Sequence, residues 1–390
     1  MKSKIKNLFQ ILVEILLIPY ILYKALVSHF TIKKIEVGLG PQPLINNIYH
    51  KKALELYGYS TETFVSNPFH ITKEFDIVLS ERYNIKTVVG RFQAFLVLID
   101  LAFKYNILYF YFYGGPLGVS TKVIWRFEAI FYRIAKVKTV IMPYGSDIQD
   151  MSRTKNLYFK HALNQDYPNH KKNNQNTKQR IDYWTKNANH VISGCEWVDY
   201  MYGWDTLMLA HFSIDVSRFD SLKEMERKSD SFKVFHAPNH KCIKGSKHLI
   251  SAVNELIKEG YNIELVMLNK VSNTEIIKAI QSVDLVADQF VIGWYAMFAL
   301  EAMSLKKPVL CYLRDDLVEL YIKAGLINKD EIPILNTNLL GIKDKLIWAY
   351  NNRNELLNIG KKSKEYVLKH HSIEVVGSVF DEINKKIMEK

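Results

Sequence analysis

Residues 234–245 read Val234-Phe235-His236-Ala237-Pro238-Asn239-His240-Lys241-Cys242-Ile243-Lys244-Gly245: a short apolar strand, a basic loop and the start of a helix. Helical spacing then carries Leu249, Ile250, Ala252, Val253, Leu256 and Ile257 along one face until Gly260 ends it. Lys241 and Lys244 therefore fall between the carboxyl end of a strand and the N-terminus of a helix. Free backbone N–H groups and the positive end of the helix dipole collect anions at such junctions, and two ammonium groups deepen the site. The expectation is a phosphate site.

Two further signals lie downstream. Val283 to Ala287 reads as a buried strand, followed by Asp288-Gln289-Phe290-Val291-Ile292-Gly293-Trp294-Tyr295-Ala296 and a helix carrying Leu300-Glu301-Ala302-Met303. Glu301 is expected about two turns inside that helix. Lys307-Pro308-Val309-Leu310-Cys311-Tyr312 is then the next parallel strand. Ligands of open α/β sheets bind outside the carboxyl ends of the strands, so all three signals converge on one edge.

As a combination, the basic Lys-Gly loop, the apolar loop, the Glu-Ala-Met helix and the Lys-Pro-Val strand resemble the donor-binding domain of family 4 retaining glycosyltransferases of GT-B fold. The resemblance covers the second half of the chain, with weaker echoes in the first. It implies an α/β fold of two Rossmann-like domains facing a cleft. It also implies metal-independent transfer of a hexosyl or related group from a nucleotide sugar to a glycan or lipid-linked acceptor, with retention, in cell-surface polysaccharide or glycoconjugate synthesis. The nucleotide sugar is a co-substrate, and no cofactor is expected; no Asp-x-Asp motif or His/carboxylate cluster suggests a metal.

The same resemblance assigns His240, Lys241, Lys244, Gly293, Trp294, Tyr295 and Glu301 to the donor, with Glu301 on the ribose. Lys241 and Lys244 become catalytic by stabilising the leaving diphosphate. Three positions depart from the family pattern. Gly293 stands where a first Glu is usual, and Lys241 or His240 must serve where an Arg is common. Lys306 replaces the Gly that usually follows the helix, which costs about 1 kcal/mol if the backbone there is left-handed.

The first half begins differently. Lys2, Lys4 and Lys6 lead into an apolar run from Leu8 to Tyr23 that Glu14 and Pro19 interrupt. A charge near the middle disfavours a spanning helix, and no small-residue cleavage site suggests a signal peptide. Residues 1–30 are therefore expected to form an apolar helix that associates with the membrane surface or packs on the body of the protein.

From Lys34 onward apolar strands alternate with helical patterns, which predicts parallel sheets covered by helices. Strands are expected over Ile35 to Leu39, Thr63 to Ser66 and Phe75 to Leu79. A helix over Phe92 to Phe103 leads into an aromatic strand, Ile107 to Tyr113, which Gly114-Gly115-Pro116 ends. A helix from Val123 to Ala135 and a strand from Thr139 to Met142 follow. Pro143-Tyr144-Gly145-Ser146-Asp147-Ile148 then looks like the first-domain loop of the same family. Gly114, Gly115, Tyr144, Gly145, Ser146 and Asp147 are the acceptor-side candidates. Asp147 either joins the catalytic residues or caps a helix.

Lys155 to Lys186 reads as a polar surface excursion, and His211 to Phe219 resembles the family's crossing between domains. The expected organisation is residues 31–221 as an acceptor domain, 222–231 as a linker, 232–372 as a donor domain and 373–390 as a terminal helix returning to the first.

With 390 residues there is room for two such domains. A hydrophobic content of 48% with 24% charged residues excludes wholesale disorder and a polytopic membrane protein. The net charge of +12 fits an anionic membrane face or phosphorylated substrates. Nucleic acid is not expected as a partner, because no recognition motif accompanies the scattered lysines. Cys195, Cys242 and Cys311 form no paired motif, which favours a reducing cytoplasmic setting, peripheral to the inner membrane face. Two other readings share the architecture: a sugar-nucleotide 2-epimerase, and a degenerate protein that binds sugar nucleotides or scaffolds an assembly without turnover.

Overall fold

The computed structural model describes residues 2–69, 72–83, 93–220, 222 and 230–389. Two parallel sheets organise the chain. The first holds β1 (Ile35–Leu39), β2 (Thr61–Val65), β3 (Ile77–Val78), β4 (Tyr105–Tyr111), β5 (Lys138–Met142), β6 (His190–Ser193) and β7 (Thr206–Leu207), in the order β3-β2-β1-β4-β5-β6-β7. The second holds β8 (Phe232–His236), β9 (Ile263–Met267), β10 (Leu285–Ala287), β11 (Val309–Cys311) and β12 (Ile334–Asn336), in the order β12-β11-β10-β8-β9. Chain order reverses between β1 and β4 in the first sheet and between β8 and β10 in the second. Helices leave opposite faces at such points and open a crevice at the carboxyl ends of the two strands.

The central strands are apolar on both faces because helices cover both. In β4, Tyr105, Ile107, Leu108, Tyr109, Phe110 and Tyr111 are all buried, so the aromatic run is core. The register runs from Ile107 against Lys138 to Tyr111 against Met142.

The chain crosses between the sheets twice, and the two crossings lie side by side. Ile214 donates its N–H to the His371 carbonyl at 2.8 Å, and Ile373 returns one to the Ile214 carbonyl at 3.2 Å. The terminal helix Ile373–Met388 then packs on the helix Asn46–Leu56 of the first half. A Cβ on Gly377 would stand 2.6 Å from the Ala53 carbonyl oxygen, so only glycine permits this approach.

Several elements differ from expectation. The polar stretch after Lys155 folds into two helices, Leu157–Asp166 and His170–Asn187. The second buries only Thr177, Ile181 and Trp184, a stripe too narrow to stand out among lysines and asparagines. The helix expected from Val123 is a short 3-10 turn, Ile124–Phe127, followed by the helix Glu128–Ile134. The third strand shrinks to two residues and runs into a single helical turn, Leu79–Arg82. Phe92, and all of 222–231 except Leu222, Asp230 and Ser231, lie outside the described residues.

Candidate functional site

At the second switch point, β8 ends in His236, which is fully buried. Its Nδ1 bonds the Ala287 carbonyl and its Nε2 the Ser246 hydroxyl, both at 2.8 Å. Burial lowers this imidazole to about 4, so it is neutral and ties β8, β10 and the next helix together. The loop closes as one helical turn, Lys241–Lys244, and Gly245 breaks it at φ +73° before the helix Ser246–Lys258 begins. A side chain at 245 would be strained by that backbone and would also meet Leu339 at 2.9 Å.

The two lysines take different partners. Lys244 ion-pairs with Asp288, whose side chain is fully buried at the end of β10. Lys241 is exposed and lines a cavity of about 350 Å³ with Tyr158, His161, Ser246 and Lys247. The helix Leu157–Asp166 of the first half walls this cavity, and it meets the basic turn directly. Asp166 accepts the Ile243 N–H at 2.8 Å, and the Tyr167 hydroxyl lies 2.6 Å from His240 Nε2. Asn156 donates to the Val291 carbonyl at 2.6 Å.

Glu301 is the fifth residue of the helix Met297–Ser304, one turn in rather than two. It is 5% exposed and accepts from Asn273 Nδ2 at 2.6 Å. Burial pushes its carboxyl up to about 7, opposed by Asn273 and by the charge of Arg218. Tyr49, from the helix after β1, feels the Glu301 charge and accepts from Arg218 at 3.1 Å. Glu301 thus sits against the first half of the chain.

Gly293 has φ +102°, and a Cβ there would meet Arg314 Cγ at 2.5 Å. Arg314 occupies the space because it grips Asp199 of the first half with both terminal nitrogens, at 2.5 and 3.2 Å. Trp294 and Tyr295 are placed in the core: they are 0% and 1% exposed and stack on each other at 5.2 Å. The Tyr295 hydroxyl is spent on Tyr366 and His371, each at 2.8 Å.

On the first sheet, Asp147 is fully buried beneath its loop. It accepts N–H groups from Phe112 at 2.9 Å and from Tyr144 and Gly145 at 3.0 Å. It therefore fastens the ends of β4 and β5 to each other. Gly114 (φ +81°) packs on Trp184, and Gly115 lies over Glu128, whose Oε1 would be 2.4 Å from an added Cβ. The half-buried rings of Tyr113 and Tyr144 meet edge to face at 5.9 Å, with Ser146 beside them and Arg180 over Tyr113 at 5.2 Å.

Sequence reasoning missed Asp288, Asp166, Arg218, Arg180 and Arg314. Asp288 and Arg314 carried a local signal, each lying just after a strand of the second sheet, at its carboxyl edge. Asp166, Arg218 and Arg180 reach the site from remote segments.

No family model matches the sequence, and no curated protein does. Solved structures match the fold. A sucrose-phosphate synthase from Thermosynechococcus elongatus superposes over 91% of this chain and 100% of its own, with a TM-score of 0.56 at 12% identity. An alpha-glucosyltransferase in complex with UDP and a 13-mer DNA containing a central A:G mismatch covers 90% of this chain and 100% of its own, with a TM-score of 0.55 at 9% identity. The fold is thus the GT-B arrangement of two Rossmann-like domains facing a cleft, with an added N-terminal apolar helix.

Proposed function

We propose that this chain is a metal-independent glycosyltransferase that moves a sugar, with retention, from a nucleoside-diphosphate donor to a glycan or lipid-linked acceptor in cell-surface polysaccharide or glycoconjugate synthesis. The observation that carries the reading is the basic turn at the carboxyl end of β8, at the second sheet's switch point, where Lys244 pairs with the buried Asp288 and Lys241 lines a cavity walled by the first-half helix Leu157–Asp166. The GT-B fold of the neighbours supports it.

In this reading the diphosphate lies over the basic turn and Glu301 accepts from the ribose hydroxyls. The bond from the anomeric carbon to the diphosphate oxygen breaks, and its electron pair stays with that oxygen. The acceptor oxygen bonds the same carbon on the face the diphosphate leaves, and its proton passes to the diphosphate. Charge on the leaving group grows along this path, so a fixed cation stabilises the transition state more than the bound donor. The Asp288 ion pair holds the Lys244 ammonium in place before donor arrives.

Lys244→Ala is expected to lower kcat by about 100-fold or more with a smaller change in donor affinity, and Lys241→Ala to do so more mildly. The alanine also strands the buried Asp288 carboxylate, so Lys244→Ala/Asp288→Asn is the control that keeps the fold. Wild-type turnover in that double variant at saturating donor would rule out this loop as the leaving-group site.

One observation favours a second reading, a sugar-nucleotide-binding protein without turnover. Arg314 fills the place beside Gly293, where the family's first carboxylate would stand. Nucleotide binding without any release of sugar would support it.

A further inference from the structure

From Asn7 onward, the N-terminal helix Lys2–His29 is fastened along one side. On that side Glu14, 2% exposed, accepts the N–H groups of Lys122 and Val123 at 2.8 Å and of Ile124 at 3.3 Å. Further along, the Ser28 hydroxyl donates to the Ala102 carbonyl at 2.6 Å, and His29 Nδ1 bonds the Ile134 carbonyl at 3.0 Å. Ile21 and Ala25 are buried between these anchors.

The opposite side is apolar and bare. Leu8, Leu12, Leu16, Tyr20, Tyr23 and Phe30 are each at least half exposed, Leu16 at 76% and Phe30 at 84%. A spacing of three or four residues keeps Leu8 to Tyr23 on one stripe of a helix about 42 Å long, and Phe30 lies in the turn just past its end.

The segment Asn7–His29 is long and apolar enough to cross a bilayer by length and composition. Crossing would pull Glu14 off three N–H groups and leave its carboxylate in hydrocarbon, a state membrane helices avoid. Docked as it is, the helix offers only its outer stripe.

Charge identifies what covers that stripe. Setting aside Lys33, whose ammonium donates to the Ser28 and Ala135 carbonyls, the chain up to residue 35 carries Lys2, Lys4, Lys6, Lys24 and Lys34 against a single acid, the buried Glu14. A second copy would set this basic edge against itself. An anionic lipid surface would neutralise it. The segment beneath the helix adds exposed Phe127 and Ile130 alongside Lys122 and Arg126.

We infer that the helix is an in-plane seat on an anionic bilayer, with the apolar stripe at the acyl boundary, the lysines among lipid phosphates and the body held by Glu14. The seat stands on geometry and charge. Its consequence for the acceptor rests on the transferase reading: Gln10 and Glu14 reach Ser120 to Ile124, just after the Gly114-Gly115 turn at the carboxyl end of β4. That places the bilayer beside the crevice, where a lipid-linked acceptor would enter.

The test is vesicle co-sedimentation of the full chain, with no substrate present, so that a negative result is independent of any failure of turnover. Binding is expected to vesicles containing phosphatidylglycerol, to weaken with salt and to be about tenfold or more lower on pure phosphatidylcholine. Leu12→Glu/Leu16→Glu alters exposed positions only, and should abolish sedimentation while the thermal transition stays unchanged. Alkaline carbonate should release the wild-type protein from cell membranes. Retention after that wash would mean a spanning helix and overturn the proposal. So would equal sedimentation of wild type and double variant, or a wild-type dimer that the double variant converts to monomer without loss of lipid binding.

Discussion

Burial raises the Glu301 carboxyl to about 7, and Asn273 supplies one N–H against that rise. Ribose hydroxyls donating to the ionised form would pull its pKa down. Nucleotide binding should then release protons, and affinity should fall as pH drops from about 8 to 6, where the carboxyl is neutral before ligand arrives. Glu301→Gln should weaken nucleotide binding by about 1 to 3 kcal/mol at pH 8 and remove the pH dependence. Calorimetry at two pH values measures both; unchanged affinity with an intact fold would make Glu301 structural. At this scale a local pattern marks the lysines, at a strand-to-helix junction, and Glu301, one turn into a helix. The sequence hid what those groups touch. Asp147 looked available for chemistry, yet three backbone N–H groups from two loops claim it, and Trp294 and Tyr295 looked like loop aromatics but fill the core.

Among elements, the helix Met297–Ser304 stops where Lys306 turns left-handed at φ +57°. That is the backbone glycine adopts most readily, and the carbonyl of Lys306 is pinned by the close approach of Gly360. Lys306→Gly should stabilise the protein by up to about 1 kcal/mol in urea unfolding. A destabilised variant would show that the lysine side chain contributes more than its backbone costs. The elements legible in the sequence were those with a compact apolar signature: β1, β4, β5, β8, β10 and β11, and the helices after β8 and before β4. The helix His170–Asn187 was not, because its one stripe, Thr177, Ile181 and Trp184, is too narrow to stand out in a polar run. The strands Ile77–Val78 and Thr206–Leu207 lie within apolar runs that the sequence marks, but at two residues each they are shorter than those runs suggest.

For the whole molecule, the two halves are joined by the paired crossings and by Arg314, which is 6% exposed and holds an almost fully buried Asp199 from the other half. Nothing in the sequence couples residues so far apart. Among the described residues, Arg314→Met would leave Asp199 with only Lys155 as an ion-pair partner, at 3.6 Å and mostly exposed. The expected loss in urea unfolding is about 3 to 5 kcal/mol, and a loss below about 0.5 kcal/mol would mean the clamp does not hold the halves together. Such a joint fixes the crevice that the transferase reading needs, since donor and acceptor groups belong to different sheets. The most direct measurement of that reading is mass spectrometry of the purified full chain incubated with a panel of nucleotide sugars and cell-envelope lipid. One donor should yield free nucleoside diphosphate and a sugar-bearing acceptor, with loss of both products in Lys244→Ala/Asp288→Asn. Binding of a nucleotide with no release of diphosphate from any donor, or a donor returned only as its 2-epimer, would contradict it.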